Sequence, residues 1–259
     1  MTRTIGVIGA GMLGGTLARK LFEAGYKVRV ANSGPPETLS RIFKPYPRIV
    51  PVRSEEAASE ADLVILCVPY RAIPELAATA FAADDGPPVI DAGNYRPRRD
   101  GPLPGIKPGG IDSIWVQHEL GRTVYKAFNT IHPFPLERGG RTAGRSGRIA
   151  LPVSGSPGAQ KRELLWLVEQ LGFSAVDAGE LHDSWRQQPG RPAYLADFDA
   201  AGLRRALAQA TLERRPVLEP RTHTELDELA RRWSPSHRLY DAAHAALPAP
   251  AVSLKQLHA

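Results

Sequence analysis

Apolar residues in the first part of the chain form two short runs, with a segment of helical spacing between them. Residues 4–8 are predicted to form a buried strand, and apolar positions then recur on one helix face over residues 13–21, before Gly25. Residues 26–31 alternate between apolar and polar positions, as a second strand would. A strand, a helix and a strand within about 30 residues predict a parallel β-α-β unit with a right-handed crossover.

Further strands and helices follow at the spacing of an alternating α/β chain. Strands are predicted over residues 49–52, 61–68, 89–92, 124–131, 149–154 and 173–177, and helices over residues 73–81 and 160–171. The run at residues 61–68 is almost continuously apolar, as in a strand that is covered on both faces. The pattern therefore predicts an α/β fold of the Rossmann type, a doubly wound and mostly parallel sheet with a C-terminal helical segment.

After residue 182 the pattern changes from strands to helices. Residues 200–209, 225–233 and 239–247 have helical spacing, with no strand pattern between them. We therefore expect an NAD(P)-binding domain over residues 1–182 and a helical region over residues 183–259. This tail is a candidate dimer interface, so a homodimer is one expectation.

Composition narrows the class of protein. The chain has 259 residues, a net charge of +6 and a pI of about 9.6, which favours anionic ligands. The basic residues are spread along the chain without interleaved aromatic residues, so nucleic-acid binding is not expected. The single cysteine, Cys67, excludes an intrachain disulfide and fits a reducing compartment. No run of 18 apolar residues occurs, and the first strand pattern begins at residue 4, so we expect a cytoplasmic protein without a membrane span.

A glycine-rich turn lies between the first predicted strand and the first predicted helix. It reads Gly9-Ala10-Gly11-Met12-Leu13-Gly14. In a dinucleotide site, Gly9 would allow the tight turn, Gly11 would let the backbone approach the pyrophosphate, and Gly14 would let the helix pack close to the sheet. The helix N-terminus would add free N–H groups and a positive dipole end. The alternative is a glycine-rich turn without a ligand, but the flanking strands and helix favour the dinucleotide site.

The end of the second predicted strand bears on the choice of cofactor. An acidic residue here would bond the ribose 2′-hydroxyl of NAD, but the chain has Asn32 and Ser33. Neither side chain repels a 2′-phosphate, and both can donate hydrogen bonds to it, which favours NADP over NAD. The alternative is that both residues simply begin a turn before Gly34.

Catalytic and substrate-contacting residues are expected beyond the carboxyl ends of the strands. These are residues 68–70, with Val68, Pro69 and Tyr70, together with Asn94 and residues 129–133. Tyr70 could stack on a ligand ring or be a surface aromatic, and Asn94 could bond the nicotinamide ribose or begin a turn.

The segment from residue 126 to residue 133 holds further candidates. Asn129 and His132 are candidate catalytic residues, and His132 is the best proton donor if the reaction needs one, because its usual pKa lies near neutrality. A structural role beside Pro133 is the alternative. Lys126 lies within an apolar strand pattern and is expected to extend its ammonium group to solvent or towards an anion. Cys67 is expected to be a small core residue.

Several short motifs together resemble the family of NADPH-dependent coenzyme F420 reductases, in particular its proteobacterial F420-reductase-like members. They are the segments 9–14, 31–33 with 36–39, 67–69, 89–95, 99–101, 126–131, 171–173 and 177–179, so the resemblance covers residues 4–182. It implies a Rossmann-type fold and hydride exchange between NADPH and the deazaflavin F420. The residues that match the family's cofactor pocket are Gly9, Ala10, Gly11, Met12, Leu13, Asn32, Ser33, Val68 and Pro69.

One position departs from that family. An arginine that clamps the 2′-phosphate usually follows the Asn-Ser pair, and this chain has Gly34 there. NADP preference would then depend on another basic side chain, for which Arg53 and Arg41 are the candidates. The resemblance also suggests that the basic loop at residues 138–148 attracts the phosphate and polyglutamate tail of F420, although a solvated loop explains the same residues.

Other chemistries find less support in the sequence. The histidines form no zinc-binding pair on one helix, so a metal site is not expected. The sequence also has no nucleophile-elbow motif. Two alternative functions remain. One keeps the fold and reduces an imine or a keto acid with NADPH, and the other is a non-catalytic dinucleotide-binding regulator.

Overall fold

A six-stranded parallel sheet forms the centre of the molecule. The computed structural model describes residues 3–83, 85–106 and 109–211. The strands are β1 (Thr4–Ile8), β2 (Lys27–Ala31), β3 (Ile49–Pro51), β4 (Leu63–Leu66), β5 (Val89–Asp91) and β6 (Val124–Lys126), in the order β3-β2-β1-β4-β5-β6. The predicted doubly wound α/β fold is confirmed, because the strand order reverses its direction between β1 and β4.

Helices connect the strands and cover the sheet. In the described ranges they are α1 (Met12–Glu23), α2 (Glu37–Phe43), α3 (Ser54–Ser59), α4 (Ile73–Ala78), α5 (Pro97–Asp100), α6 (Asp112–Leu120), α7 (Pro133–Arg138), α8 (Ala159–Gln170) and α9 (Ala200–Ala208), with 3₁₀ helices at Tyr70–Ala72 and Leu181–Gln187. Over these same residues, every helix is too short or too polar to traverse a bilayer.

The sheet separates two apolar layers because successive side chains of a strand point to opposite faces. Val7 of β1 and Ile65 of β4 pack in the layer that contains α1. Ile8 and Val64, their neighbours in the chain, pack in the layer that contains α6. All four residues of β4 are buried, as the continuous apolar run predicted.

A second, two-stranded parallel sheet consists of β7 (Ala150–Val153) and β8 (Ser174–Asp177). It joins the main sheet through Lys126 and Ser154, whose backbone N–O distances are 2.8 and 3.0 Å. Helix α9 packs on this small sheet, and the 3₁₀ helix Leu181–Gln187 runs across the expected boundary at residue 182. The helices predicted at residues 225–233 and 239–247 lie outside the described residues.

Several predicted boundaries were wrong. The predicted strand at residues 124–131 ends at Lys126, because Phe128 has a φ of 62°, which is incompatible with an extended strand. The predicted strand at residues 61–68 is limited to β4, and the basic loop at residues 138–148 begins at the last residue of α7. The helices α2, α3, α6 and α7 were not predicted, because they lack a long amphipathic repeat and are short.

Candidate dinucleotide-binding site

The glycine turn adopts the close packing that its sequence predicts. Gly9 has a φ of 100°, and its N–H donates to the carbonyl of Ala31 at 2.9 Å. A Cβ added to Gly9 would lie 2.4 Å from the carbonyl oxygen of Cys67, and one added to Gly14 would lie 1.9 Å from the carbonyl oxygen of Gly9. Only glycine fits at these two positions, so α1 starts in direct contact with the end of β1.

Gly11 is the open position of this turn. It is the N-cap of α1, and an added Cβ would meet no protein atom within 4 Å. No side chain caps this helix end, and within the described residues the N–H groups of Met12, Leu13 and Gly14 donate to no protein acceptor. Free amides beside bare backbone at a helix N-terminus form a cradle that fits a pyrophosphate.

The segment after β2 forms a turn that Asn32 organises. Its Oδ1 accepts from the N–H of Gly34 at 3.0 Å, and its Nδ2 donates to Oγ1 of Thr38 at 3.3 Å. Ser33 is exposed beside it. Asn32 therefore forms the turn and leaves the hydroxyl of Ser33 available to a ligand, while contact of both residues with the cofactor stays a prediction.

Gly34 and Arg53 follow two neighbouring strands, β2 and β3, at the carboxyl edge of the sheet. A Cβ added to Gly34 would lie 3.7 Å from Asn32 Oδ1, an ordinary contact, so the turn has room for a side chain. In the β2–β3 register Val30 lies opposite Pro51, so Asn32 and Arg53 each follow the end of one of two paired strands. Arg53 is exposed, its carbonyl accepts from the N–H of Ala57 at 2.9 Å, and in the part of the chain that the structure describes its guanidinium has no hydrogen bond or ion pair.

The end of β4 lies directly against the glycine turn. A Cβ added to Gly9 would be 3.0 Å from Cγ1 of Val68, and Val68 is half-buried. Pro69 follows as the N-cap of the 3₁₀ helix Tyr70–Ala72. Val68 and Pro69 therefore border the same cleft as Gly11, as parallel strand ends should.

Asn94 and Asn129, which were predicted to lie at the same edge, contact each other. Asn129 Nδ2 donates to Asn94 Oδ1 at 2.9 Å, and Asn94 Nδ2 donates to the carbonyl of Asn129 at 3.2 Å. Asn129 Nδ2 also donates to the carbonyl of Gln187 at 2.8 Å, and all three side chains are buried. Gln187 was not predicted, because no local pattern marks a residue 58 positions away as a partner of Asn129.

Tyr70 and Lys126 are both fully buried, so the expected exit of Lys126 to solvent was wrong and its alternative contact with an anion is met by the carboxylate of Asp91. Lys126 Nζ donates to Asp91 Oδ2 at 2.8 Å and to the carbonyl of Gly93 at 2.7 Å. The Tyr70 hydroxyl donates to the same carboxylate oxygen at 2.5 Å, and its ring stacks on Trp115 with centroids 5.8 Å apart. Tyr70 is thus neither a surface aromatic nor a platform for a ligand, and Lys126 does not reach solvent.

Burial and charge change the pKa of this region. Burial, and secondarily the charge of Asp91, raise the pKa of Tyr70 well above its ordinary value. The same two causes raise the pKa of Cys67, which is half-buried and packs against the core beside Gly14. Both groups are therefore neutral at physiological pH and serve packing and hydrogen bonding.

His132 lies at the end of the turn that follows Asn129. It is the N-cap of α7, and its Nδ1 accepts from the N–H of Phe134 at 3.4 Å. The structural alternative for His132 is therefore correct, while its half-buried ring remains at the carboxyl edge of the sheet. Burial raises the pKa of Asp197, and the nearby His132 partly offsets this effect. Proton donation by His132 stays a prediction.

The fold and this cleft define a class of protein, an NADP-binding oxidoreductase of the Rossmann type. Residues 4–95 match the family described as NADP oxidoreductase, coenzyme F420-dependent. Escherichia coli protein YjhV is 36% identical over 81 residues, which are 31% of this chain and only 59% of YjhV.

Two solved structures extend the similarity beyond the matched segment. A hypothetical protein from Sinorhizobium meliloti is 31% identical, with 76% of this chain and 95% of that chain covered and a TM-score of 0.64. An Arthrobacter protein with the provisional name F420-dependent NADP-reductase is 25% identical, with 71% and 88% covered and a TM-score of 0.59. The chain belongs to the family of NADP oxidoreductases, coenzyme F420-dependent.

Proposed function

We propose that this chain transfers a hydride between NADPH and a deazaflavin or flavin-like acceptor. The observation that carries the proposal is the bare backbone at Gly11, where an added Cβ would meet no protein atom, at a helix end whose amides are free within the described residues. This cradle suits the pyrophosphate of a dinucleotide, and the family to which the chain belongs uses NADP. When bound, NADPH supplies the hydride, so the protein is required chiefly to bind and orient.

The chain's own residues divide this task by position. The amides of Met12 and Leu13 would hold the pyrophosphate, and Val68 and Pro69 would border the cofactor on the side of β4. The acceptor would lie near Asn94 and Asn129, whose amide groups are already fixed by each other. Fixed groups orient a ligand without a further loss of side-chain freedom, which favours close alignment of the two reacting rings.

Arg53 is our candidate for recognition of the 2′-phosphate. It follows β3, the strand that pairs with the strand before Asn32, and the described residues supply no acidic partner for it. Arginine suits bidentate phosphate binding, and Gly34 cannot provide this interaction. Ser33 would add one hydroxyl donor.

The specificity of this proposal is tested by Arg53→Met, with Arg41→Met as the matched control. We expect Arg53→Met to weaken NADPH binding by about tenfold and to leave NADH binding unchanged, since a lost charge-assisted hydrogen bond has this magnitude. Adding Gly34→Arg to Arg53→Met should restore NADPH binding, because the turn accommodates a side chain at residue 34. Equal losses for NADPH and NADH would contradict the assignment.

The acceptor is tested with the purified full chain and NADPH against coenzyme F420, FMN, a cyclic imine and a keto acid. Oxidation of NADPH with F420 or FMN, followed by absorbance, supports the proposal. Oxidation of NADPH only with the imine or the keto acid would show that the acceptor is not a flavin or deazaflavin, and the chain would be an NADPH-dependent reductase of that small molecule. Tight NADPH binding without turnover on any of the four would instead favour a dinucleotide-binding regulator.

A further inference from the structure

A cavity lined by basic side chains lies between the start of the loop after α7 and the end of α8. It has a volume of about 580 Å³, within the range of small-molecule sites. Its lining carries three basic side chains, Lys20, Arg141 and Arg148, against one acidic side chain, Glu169. Lys20 lies eight residues after Met12 on α1, which places it about 12 Å along the helix from the glycine turn.

The wall of this cavity is built by close backbone packing. A Cβ added to Gly172 would lie 2.8 Å from Cα of Gly140, and one added to Gly140 would lie 3.1 Å from the carbonyl oxygen of Leu171. The N–H of Arg141 donates to the carbonyl of Gly172 at 2.8 Å. Two glycines in contact thus fix the loop to the end of α8, so the cavity is a defined part of the fold.

Arg148 forms the floor and is buried. Its guanidinium donates to the carbonyls of Arg141 at 2.6 Å and Phe173 at 2.8 Å, and to Glu169 Oε2 at 2.5 Å. Its Nε is buried and has no hydrogen-bond partner within the described residues. Glu169 is already engaged by Arg148 and by the N–H of Ala175, so its charge is not available to neutralise Lys20 or Arg141.

Two positive groups therefore remain uncompensated at this cavity. In the described ranges Lys20 has no hydrogen-bond acceptor, and its ammonium lies 3.2 Å from where a Cβ of Gly140 would be and 5.8 Å from the ring centroid of Phe173. Arg141 is exposed, and its guanidinium donates only to the carbonyl of Ser146 among the same residues. The backbone N–H groups of Thr142 and Ala143 are also without a protein acceptor there. Ammonium, guanidinium and free amides together suit a compact dianion.

We propose that this cavity binds a small dianion, a phosphate ester or a dicarboxylate, at a site separate from the dinucleotide cleft. Lys20 and Arg141 contact the anion, and Arg148 holds the floor of the site through the backbone carbonyls that it bonds. The inference does not depend on the proposed hydride transfer, because none of these residues belongs to the glycine turn or to the carboxyl edge of the sheet.

The test is calorimetric titration of the full chain, saturated with NADPH, with inorganic phosphate, pyrophosphate and triglutamate at low ionic strength. We expect saturable binding of at least one probe. Tighter binding of phosphate or pyrophosphate would identify the ligand as a phosphate ester, and tighter binding of triglutamate would identify it as a carboxylate. Lys20→Met and Arg141→Met should each weaken binding by about tenfold. Arg145→Met, which removes the same charge from the same loop but not from the cavity wall, should have little effect.

A further variant tests the cavity by adding a negative charge, without removing any side chain that holds the fold. Ala143→Glu adds a carboxylate to the cavity wall, removes no described hydrogen bond, and should abolish binding of every probe. Gly11→Val should leave probe binding unchanged, whatever it does to NADPH. The proposal is overturned if no probe binds saturably, if Arg145→Met weakens binding as much as Lys20→Met, or if Gly11→Val removes the binding.

Discussion

At the scale of single residues, Gly11 is the position where sequence, geometry and expected ligand agree most closely. Its φ of −69° is accessible to any residue, and an added Cβ would touch nothing in the protein. Glycine is therefore not required there by the fold, whereas Gly9 and Gly14 are fixed by contacts with the chain itself. If function requires glycine at position 11, the reason is therefore contact with the ligand and not the fold.

Gly11→Val should leave the protein folded and remove NADPH binding, because two methyl groups would fill the space above the helix end. We expect the affinity, measured by fluorescence titration, to fall by more than about 100-fold, equivalent to about 2.7 kcal/mol. Gly15→Ala is the control, since its Cβ would make only an ordinary 3.5 Å contact with the carbonyl of Ala10. Unchanged affinity in Gly11→Val would remove the pyrophosphate from this turn.

Cys67 allows a pH-dependent prediction at the same scale. Burial and the charge of Asp91 raise its pKa, so the thiol stays protonated at pH values where a free cysteine ionises. Alkylation of the native protein by iodoacetamide should therefore remain far slower than in denaturant from neutral pH to about pH 10. In denaturant the rate should rise near the ordinary thiol pKa of about 8.5. A similar rise in the native protein would show that the thiolate forms in the folded state.

At the scale of elements, a buried ion pair connects the ends of β5 and β6. Asp91 and Lys126 are both almost fully inaccessible, and Lys126 also holds the carbonyl of Gly93 just before Asn94. A buried pair of this kind is costly to break on one side, because the remaining charge has neither water nor a partner. The pair fixes the backbone from which Asn94 extends.

Lys126→Met should lower the free energy of unfolding by about 3–5 kcal/mol, measured by urea denaturation, since it leaves Asp91 charged and buried. Adding Asp91→Asn should recover part of this loss, because the double variant has no buried net charge at this point. Lys44→Met, at an exposed helix end, should change the stability by less than about 0.5 kcal/mol. If the double variant were less stable than Lys126→Met, the unpaired charge of Asp91 would not be the cause of the lost stability.

The elements differ in how far the sequence determines them. Strands β1 and β4 could be predicted because their apolar runs are buried on both faces, and β2 because its apolar and polar positions alternate. Helix α1 could be predicted because its apolar positions repeat at helical spacing. Helix α6 could not, because it packs against several elements and its apolar residues form no single stripe. It forms through contacts that its own nine residues do not reveal.

The same limit applies to the candidate site. The environment of Lys126 depends on Asp91, which is 35 residues away in the chain, so local periodicity suggested an exit to solvent that does not exist. Phe128 has a positive φ, which is unusual for a bulky residue. The turn that it forms follows the end of β6 and directs Asn129 towards Asn94. The glycine turn, by contrast, could be predicted because its glycine spacing and the flanking strand and helix form a local pattern, although Gly9 also contacts Cys67 from a distant part of the chain.

At the scale of the whole molecule, the strand order places distant segments at one cleft. The carboxyl ends of β1, β2, β4, β5 and β6 carry the glycine turn, the Asn32 turn, Val68, Asn94 and the Asn129 turn. The crevice in such a sheet lies where the strand order reverses, between β1 and β4. This convergence follows from parallel pairing and could be predicted, whereas the arrival of Gln187 from beyond the sheet could not.

NADPH should stabilise the native chain as a whole, because it binds the folded cleft and not the unfolded polypeptide. At 100 times its dissociation constant the gain is about 2.7 kcal/mol. For a chain of this size that gain raises the Tm by about 5–10 °C, measurable by scanning calorimetry. Gly11→Val should show no shift, and Arg53→Met should show the full shift only at about tenfold higher NADPH. Stabilisation of Gly11→Val equal to that of the native chain would contradict binding at the glycine turn.

The pairing of Val30 with Pro51 has a consequence for how cofactor choice can evolve. The codons of residues 34 and 53 specify positions that follow two paired strands at the carboxyl edge of the sheet. A point mutation in either codon can add or remove a cation at this edge without altering the strand pairing. The proposed role of Arg53 therefore predicts relatives that carry the phosphate-binding arginine on either of the two loops and keep the same nucleotide.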